Sequence, residues 1–220
     1  AAALVGVVGA EDVTLNTAGA TGTFDTADIG AGKTVTIAGL ALGGADIGNY
    51  TLTQPTTTAD ITALELTVTG VTADNKVYDG NTDATVNVGA AALVGVVGAE
   101  DVTLNTAGAT GTFDTADIGA GKTVTIAGLA LAGADIGNYT LTQPTTTADI
   151  TALELTVTGV TADNKVYDGN TDATVNVGAA ALVGVVGAED VTLNTAGATG
   201  TFDTADIGAG KTVTIAGLAL

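Results

Sequence analysis

The chain has 220 residues, 46% of them apolar, so it is long enough to bury a core and is not expected to be disordered. Its formal net charge is −19, with 24 Asp and Glu residues against five Lys residues, and this charge repels nucleic acid and anionic lipid. The absence of Cys and His excludes disulfides, thiol catalysis, and most zinc and general-base chemistry.

The composition also indicates the cellular location of the protein. No apolar run is long enough for a transmembrane helix, and no signal-peptide pattern opens the sequence. Because Met is absent, we expect the chain to be part of a longer protein. An acidic, Cys-free sequence rich in Thr and Gly is typical of secreted bacterial surface proteins, which predicts an extracellular location without membrane insertion.

The sequence is a tandem repeat. The string LVGVVGAEDVTLN begins at Leu4, Leu93 and Leu182, so that 89 residues separate each copy from the next. One position differs between the copies, with Gly43 opposite Ala132. Linker and strand patterns predict the C-terminal part of a repeat at residues 1–62, a complete repeat at 63–151 and the N-terminal part of another at 152–220.

Apolar and polar residues alternate through the complete repeat, as in half-buried strands. The clearest runs are residues 64–69, 84–88, 123–126 and 139–142. About seven short strands per repeat predict an all-β fold of small Ig-like β-sandwiches joined into a rod. Residues 90–98 lack the alternation, and a helix there would make each repeat a β-grasp-like α+β unit instead.

The segment 76–86, KVYDGNTDATV, is where each repeat combines charge, an aromatic residue and a tight-turn pattern. It predicts a hairpin in which Gly80 supplies the turn, and Gly169 does so in the next copy. Tyr78 and Tyr167 are the largest side chains near these turns. We expect them to anchor the hairpins against the core or the preceding repeat.

Oxygen-bearing side chains occupy alternate positions of this hairpin. They are Asp79, Asn81 and Asp83 in the complete repeat and Asp168, Asn170 and Asp172 in the next. The spacing resembles the start of a calcium-binding loop, but the turn glycine and the bidentate glutamate of that loop are missing. A weak calcium site and an Asx turn with solvated carboxylates are therefore both open, and no other cofactor is predicted.

Two further motifs have alternative interpretations. Residues 30–34, GAGKT, lack the spacing of a phosphate-binding loop and are better explained as a glycine-rich hairpin turn. Lys76 lies near Asn and Asp residues, as a lysine that forms an internal isopeptide bond would. The alternative is a solvated lysine paired with neighbouring acids.

The segments 71–86, VTADNKVYDGNTDATV, and 131–151, LAGADIGNYTLTQPTTTADIT, resemble the YDG-type repeats of large bacterial surface proteins. These include filamentous-haemagglutinin-like adhesins exported by two-partner secretion and biofilm-matrix adhesins. The resemblance covers the whole chain. It implies an extended extracellular stalk and offers no catalytic residues to carry over.

We therefore expect the structural stalk of a secreted surface or biofilm-matrix adhesin, which projects a binding domain away from the cell and is not an enzyme. Its expected partners are neighbouring repeats, with matrix polysaccharide or other adhesin chains as further candidates. The alternative is a module that binds glycan or matrix polysaccharide in every repeat. Glycan sites usually present exposed aromatic residues, and each repeat has few.

Overall fold

A computed structural model of the protein describes residues 2–220 and has an all-β fold, with 42% of residues in strands and 3% in helices. This confirms the predicted class. The strands before the complete repeat are β1 Thr14–Asn16, β2 Thr21–Phe24, β3 Gly30–Ala38, β4 Ala41–Gly43 and β5 Thr56–Ile61.

The complete repeat carries twelve strands. They are β6 Leu64–Thr69, β7 Thr72–Ala73, β8 Lys76–Val77, β9 Asp83–Ala84, β10 Val86–Asn87, β11 Ala92–Val94, β12 Thr103–Asn105, β13 Thr110–Phe113, β14 Gly119–Ala127, β15 Ala130–Ala132, β16 Tyr139–Leu141 and β17 Thr145–Thr151. The last part of the chain contains β18 Thr156–Thr158, β19 Thr161–Ala162, β20 Asp172–Ala173, β21 Val175–Asn176, β22 Ala181–Val183, β23 Thr199–Phe202 and β24 Val213–Ala216. The described helices are two single 3₁₀ turns, Ile47–Asn49 and Ile136–Asn138.

The chain divides into two compact units, and each has its own buried apolar residues. The first unit comprises residues 1–72, 86–110 and 126–145, and the second comprises residues 73–85, 111–125 and 146–220.

The core of the first unit lies on the buried face of β6, which is the central strand of a three-stranded sheet. This strand pairs antiparallel with β11 and parallel with β16. Because alternate side chains of a strand point to opposite faces, Leu66 and Val68 are buried while Thr67 stays exposed. Leu66 is fully buried and packs in a cluster with Val102 and Tyr139.

The core of the second unit lies against a five-stranded sheet in the order β8-β17-β14-β13-β9. Its largest buried side chains are Phe113 from β13, Val124 from β14 and Ile150 from β17. The β17 strand pairs parallel with β8, with Ile150 opposite Lys76 and Thr151 opposite Val77. Strand β8 lies at one edge of this sheet and β9 at the other, so the two strands pair with β17 and β13 and not with each other. The predicted hairpin at residues 76–86 is therefore wrong as a pair of strands. The segment, which keeps the name hairpin from its sequence pattern, is a turn between the two edge strands.

The β-grasp-like alternative is wrong for this chain, because residues 90–98 contain no helix. Ala92–Val94 form strand β11, which pairs with β6. Gly95 and Gly98 on either side of the following apolar residues have φ values of +107° and +58°, which end any right-handed helix. The absence of alternation reflects a short strand between two turns.

The GAGKT motif also differs from its predicted role. Residues 30–34 lie within β3, and the register against β5 shifts between Gly30 and Lys33, which is an irregularity of the β-bulge type. The backbone N–H of Gly32 donates to Asp60 Oδ1 at 2.7 Å. The motif is therefore a bulge inside a strand, and the predicted hairpin turn is wrong.

The one position at which the repeats differ predicts a small stability change. Gly43 ends β4 and Ala132 ends β15, and neither has a positive φ. A Gly43→Ala substitution therefore restricts the unfolded chain without straining the strand, and it should stabilise the protein by about 0.4 to 1 kcal/mol. Urea unfolding followed by circular dichroism measures this, and Ala132→Gly should have the opposite sign. If Gly43→Ala instead destabilises the protein, the argument is wrong. The group that the new methyl would then press against is Thr14 Oγ1, 3.0 Å from a Cβ built at this position.

Candidate functional site

Lys76 organises the hairpin of the complete repeat. Its ammonium lies 2.7 Å from Asp79 Oδ1 and donates to both the carbonyl and the side-chain oxygen of Asn81 at 2.9 Å. It also lies 5.7 Å from the ring centroid of Phe113, within the range of a cation–π contact. Lys165 makes the equivalent contacts in the next copy. The hairpin is thus tied to the buried sheet by one cation.

The candidate calcium ligands are engaged within the hairpin. Asp79 Oδ1 accepts the backbone N–H of Asn81 at 3.1 Å, and Asn81 Oδ1 accepts the N–H of Asp83 at 2.9 Å. Asp168, Asn170 and Asp172 repeat this pattern. These are Asx turns, and a calcium ion would have to displace the lysine ammonium from the same oxygens. Within residues 2–220, no group of three or more acidic side chains has the arrangement of a metal site.

The three residue types that an isopeptide bond needs lie in contact, but they are not all buried. Lys76 Nζ faces the amide oxygen of Asn81, and the side chains of Lys76 and Asp79 are 18% and 47% exposed. An isopeptide bond was expected to need a buried set. The contacts are those of a lysine paired with a neighbouring acid, which is the other interpretation that the sequence left open.

Because Lys76 is paired with Asp79, we expect the stability of the protein to depend on pH in the range where Asp79 titrates. The hydrogen bond from Lys76, followed by that from the Asn81 N–H, lowers the pKa of Asp79 below its ordinary value of 3.8. A depressed carboxyl pKa contributes stability above pH 3.8 and loses it as the pH falls through the folded-state pKa. Lys76→Met should raise the Asp79 pKa in an NMR titration and leave that of Asp168 unchanged, since Lys165 is intact. An unchanged Asp79 pKa would show that the ion pair does not form in solution.

The other three lysines have a separate structural role that the sequence did not indicate. In each copy of GAGKT the lysine pairs with the aspartate of the preceding FDT turn: Lys33 with Asp25 at 3.3 Å, Lys122 with Asp114 at 2.9 Å and Lys211 with Asp203 at 2.9 Å. The same ammonium groups reach the threonine after that aspartate. All five lysines of the chain are therefore ion-paired within their own repeat.

Tyr139 joins the core of the first unit to an acidic turn. Its ring is 8% exposed in the cluster with Leu66, and its hydroxyl donates to Glu100 Oε2. The same hydroxyl accepts the N–H of Val97 at 3.0 Å. Hydrogen bonding to Glu100 raises the pKa of Tyr139 above its ordinary value, because the neighbouring carboxylate disfavours a phenolate.

Tyr78 contacts the following repeat rather than the preceding one. Its hydroxyl donates to Glu189 Oε1, and this bond raises the Tyr78 pKa. The backbone at Gly80 lies beside the same turn, since a Cβ built there would be 2.8 Å from Val186 Cγ1. Tyr167 is 63% exposed, and the residue 89 positions after Glu189 lies beyond the sequence. Gly80 and Gly169 both have positive φ, as their predicted turn role requires.

A second contact links the first and the complete repeat. Asn138 Oδ1 accepts the N–H of Ile29 at 3.1 Å, and its amide nitrogen donates to Asp28 Oδ1 at 3.3 Å. Asn138 directly precedes Tyr139 in the sequence. Sequence reasoning did not find these contacts, because their partners are 109 and 110 residues apart, which is more than one repeat length.

An open groove of about 740 Å³ lies in the last part of the chain, lined by residues that include Asn164, Lys165, Tyr167, Phe202 and Gly210. In the complete repeat the corresponding surface is covered. Asp149 of β17 accepts the N–H of Gly121 at 2.7 Å, and its own N–H donates to Asn75 Oδ1 at 2.7 Å. Gly121 and Asn75 are the counterparts of Gly210 and Asn164.

A family model described as the YDG domain matches residues 1–59, 62–148 and 151–220. No curated protein and no solved structure matches the chain. Among residues 2–220, the structure contains no helix long and apolar enough to cross a membrane.

Proposed function

Because this chain belongs to the YDG domain family in three successive matches, we propose that it is a structural stalk segment of a secreted bacterial surface or biofilm-matrix adhesin. In this proposal the repeats add length and hold a binding domain away from the cell. They perform no catalysis. The long secreted protein around them and its location outside the cell are parts of the same proposal.

The observation that supports a stalk best is how short the connections between repeats are. Strand β5 ends at Ile61 and β6 begins at Leu64, so two residues connect the first repeat to the complete one. Between β17 and β18 the connection is residues 152–155. Neither connection contains Gly or Pro. Such connections restrict rotation far more than a flexible linker does.

The charge of the chain is also suited to a stalk. With a net charge of −19 and every lysine paired inside its own repeat, the surface of each repeat is acidic. Acidic surfaces repel one another, which keeps parallel chains soluble and separate. Contacts with other adhesin chains or with matrix polysaccharide would then depend on other groups or on bridging cations.

Small-angle scattering of the 220-residue chain tests the proposal. Stacked repeats that each add roughly 30 to 40 Å should give a maximum dimension of roughly 75 to 100 Å, whereas a compact globule of this length would give about 45 to 50 Å. We expect the larger value, and the same value in calcium and in chelator, because Lys76 already neutralises the hairpin oxygens. A compact particle in both conditions would exclude the stalk.

The alternative is a glycan-binding repeat, and the surface that it would use in this chain is the open groove near Tyr167 and Phe202. In the complete repeat β17 occupies the corresponding surface, so the groove is not a property of every repeat. A glycan array and a polysaccharide pull-down with this chain distinguish the two functions. Binding at physiological salt that is lost in Tyr167→Ala would favour the module over a stalk without ligand.

A further inference from the structure

The described contacts between repeats are made without lysine. All five lysines are ion-paired to an aspartate of their own repeat, and the chain has no Arg or His. An acidic repeat that adjoins another acidic repeat therefore needs neutral donors for its carboxylates. Tyrosine hydroxyls, the Asn138 amide and backbone N–H groups are the donors that the described contacts use.

Within a repeat, the tyrosine after the 3₁₀ turn donates a hydrogen bond to one carboxylate oxygen of a glutamate. Tyr139 donates to Glu100 Oε2, and Tyr50 donates to Glu11 Oε2, which is the same atom of the counterpart residue. In both copies the hydroxyl also accepts a backbone N–H from the turn before the glutamate, that of Val97 or Val8. This arrangement leaves Oε1 of the carboxylate to other donors.

Between repeats, the hairpin tyrosine donates a hydrogen bond to the other carboxylate oxygen of the glutamate at this position. Tyr78 of the complete repeat donates to Oε1 of Glu189, which is the counterpart of Glu100. The hairpin also places Gly80 against Val186, the counterpart of Val97. The same turn is thus the receiving surface for the hairpin of the preceding repeat.

A second set of hydrogen bonds also joins one repeat to the region of the core tyrosine in the next. Asp28 and Ile29 of the first repeat bind Asn138, the neighbour of Tyr139. The hydrogen bond to Glu189 is the main cause of the raised Tyr78 pKa, and the charge of Asp117, the counterpart of Asp28, adds to it. The contact that places the Asp28 loop is the one to Asn138, the residue directly before the core tyrosine of the next repeat.

We propose that, at each joint between two complete repeats, the glutamate at the Glu100 position accepts two tyrosine hydroxyls, one from its own repeat and one from the hairpin of the repeat before it. An ionised carboxylate has about four lone-pair sites on its two oxygens, so one acceptor can serve both donors. The carboxylate connects the core tyrosine of one repeat to the hairpin of its neighbour. This joint does not depend on the protein being a stalk.

The existing chain tests the two halves separately by NMR titration of its four tyrosines. Glu189→Gln should lower the pKa of Tyr78 toward 10.0 and leave Tyr139 unchanged. Glu100→Gln should do the reverse. The two variants are matched controls, because the substitution and the local sequence are identical. If Tyr78 titrates alike with Glu and Gln at position 189, the joint contact is absent in solution and the proposal is overturned.

The shared acceptor is tested in a chain lengthened by one more identical 89-residue repeat. Glu189 then has tyrosines on both sides, and Glu189→Gln should lower the pKa of two tyrosines instead of one. A shift of only one would show that the carboxylate serves a single tyrosine, which overturns the proposal. Small-angle scattering of the same samples separates this result from the proposed function, because a long particle with a single shifted tyrosine retains the stalk and loses the shared glutamate.

Discussion

Leu66→Ala should cost about 2 to 5 kcal/mol in the free energy of unfolding of the complete repeat. Leu66 is fully buried on the central strand β6, where it packs against Val102 and Tyr139. Truncation removes apolar contacts and leaves a cavity. The neighbouring backbone is fixed by pairing on both edges of β6, which limits how far the site can collapse.

The chain contains a matched control for this substitution. Leu155 has the same sequence neighbours as Leu66 but is only half-buried, and the sequence ends before the counterpart of Tyr139. Leu155→Ala should therefore cost clearly less than Leu66→Ala in urea unfolding followed by circular dichroism. Equal losses would mean that the Tyr139 cluster does not supply the stability assigned to it.

The burial at Leu66 is a feature that the sequence predicts well, because it follows from alternation. Leu64, Leu66 and Val68 alternate with Glu and Thr, and β6 spans that run with Leu66 and Val68 buried and Leu64, at its first position, 44% exposed. The alternation failed at residues 90–98, where β11 is a three-residue strand closed by Gly95. A strand that short shows too few alternate positions to be distinguished from a helical turn.

The candidate site was predictable only where its contacts are local. The Asx turns at Asp79 and Asn81 follow from residue types two positions apart, and the structure contains them. The partner of Tyr78 lies 111 residues away, and no local pattern specifies it. The contact becomes interpretable only because the sequences around Glu100 and Glu189 are identical, which lets the two glutamates be compared.

The sequence does not show that the backbone at Gly108 lies very close to that at Gly128. Gly108 and Gly128 both look like ordinary turn glycines in a Thr- and Gly-rich sequence. In the structure a Cβ built on Gly128 would lie 1.9 Å from the carbonyl oxygen of Gly108, and φ at Gly128 is +78°. Gly39 with Gly19, and Gly217 with Gly197, repeat the contact. The turn after β12 thus lies directly against the β14–β15 connection.

Gly128→Ala should therefore destabilise the complete repeat by about 2 to 5 kcal/mol, which combines left-handed strain of about 1 to 2 with overpacking of about 1 to 3. Gly121→Ala is the control, because Gly121 has a φ of +62° and no atom within 4 Å of its built Cβ. It carries the strain without the clash and should lose only about 1 to 2 kcal/mol. Urea unfolding of both variants gives the difference. Equal losses would show that the backbone at Gly108 moves aside freely, and that this close approach does not hold the connection between β14 and β15.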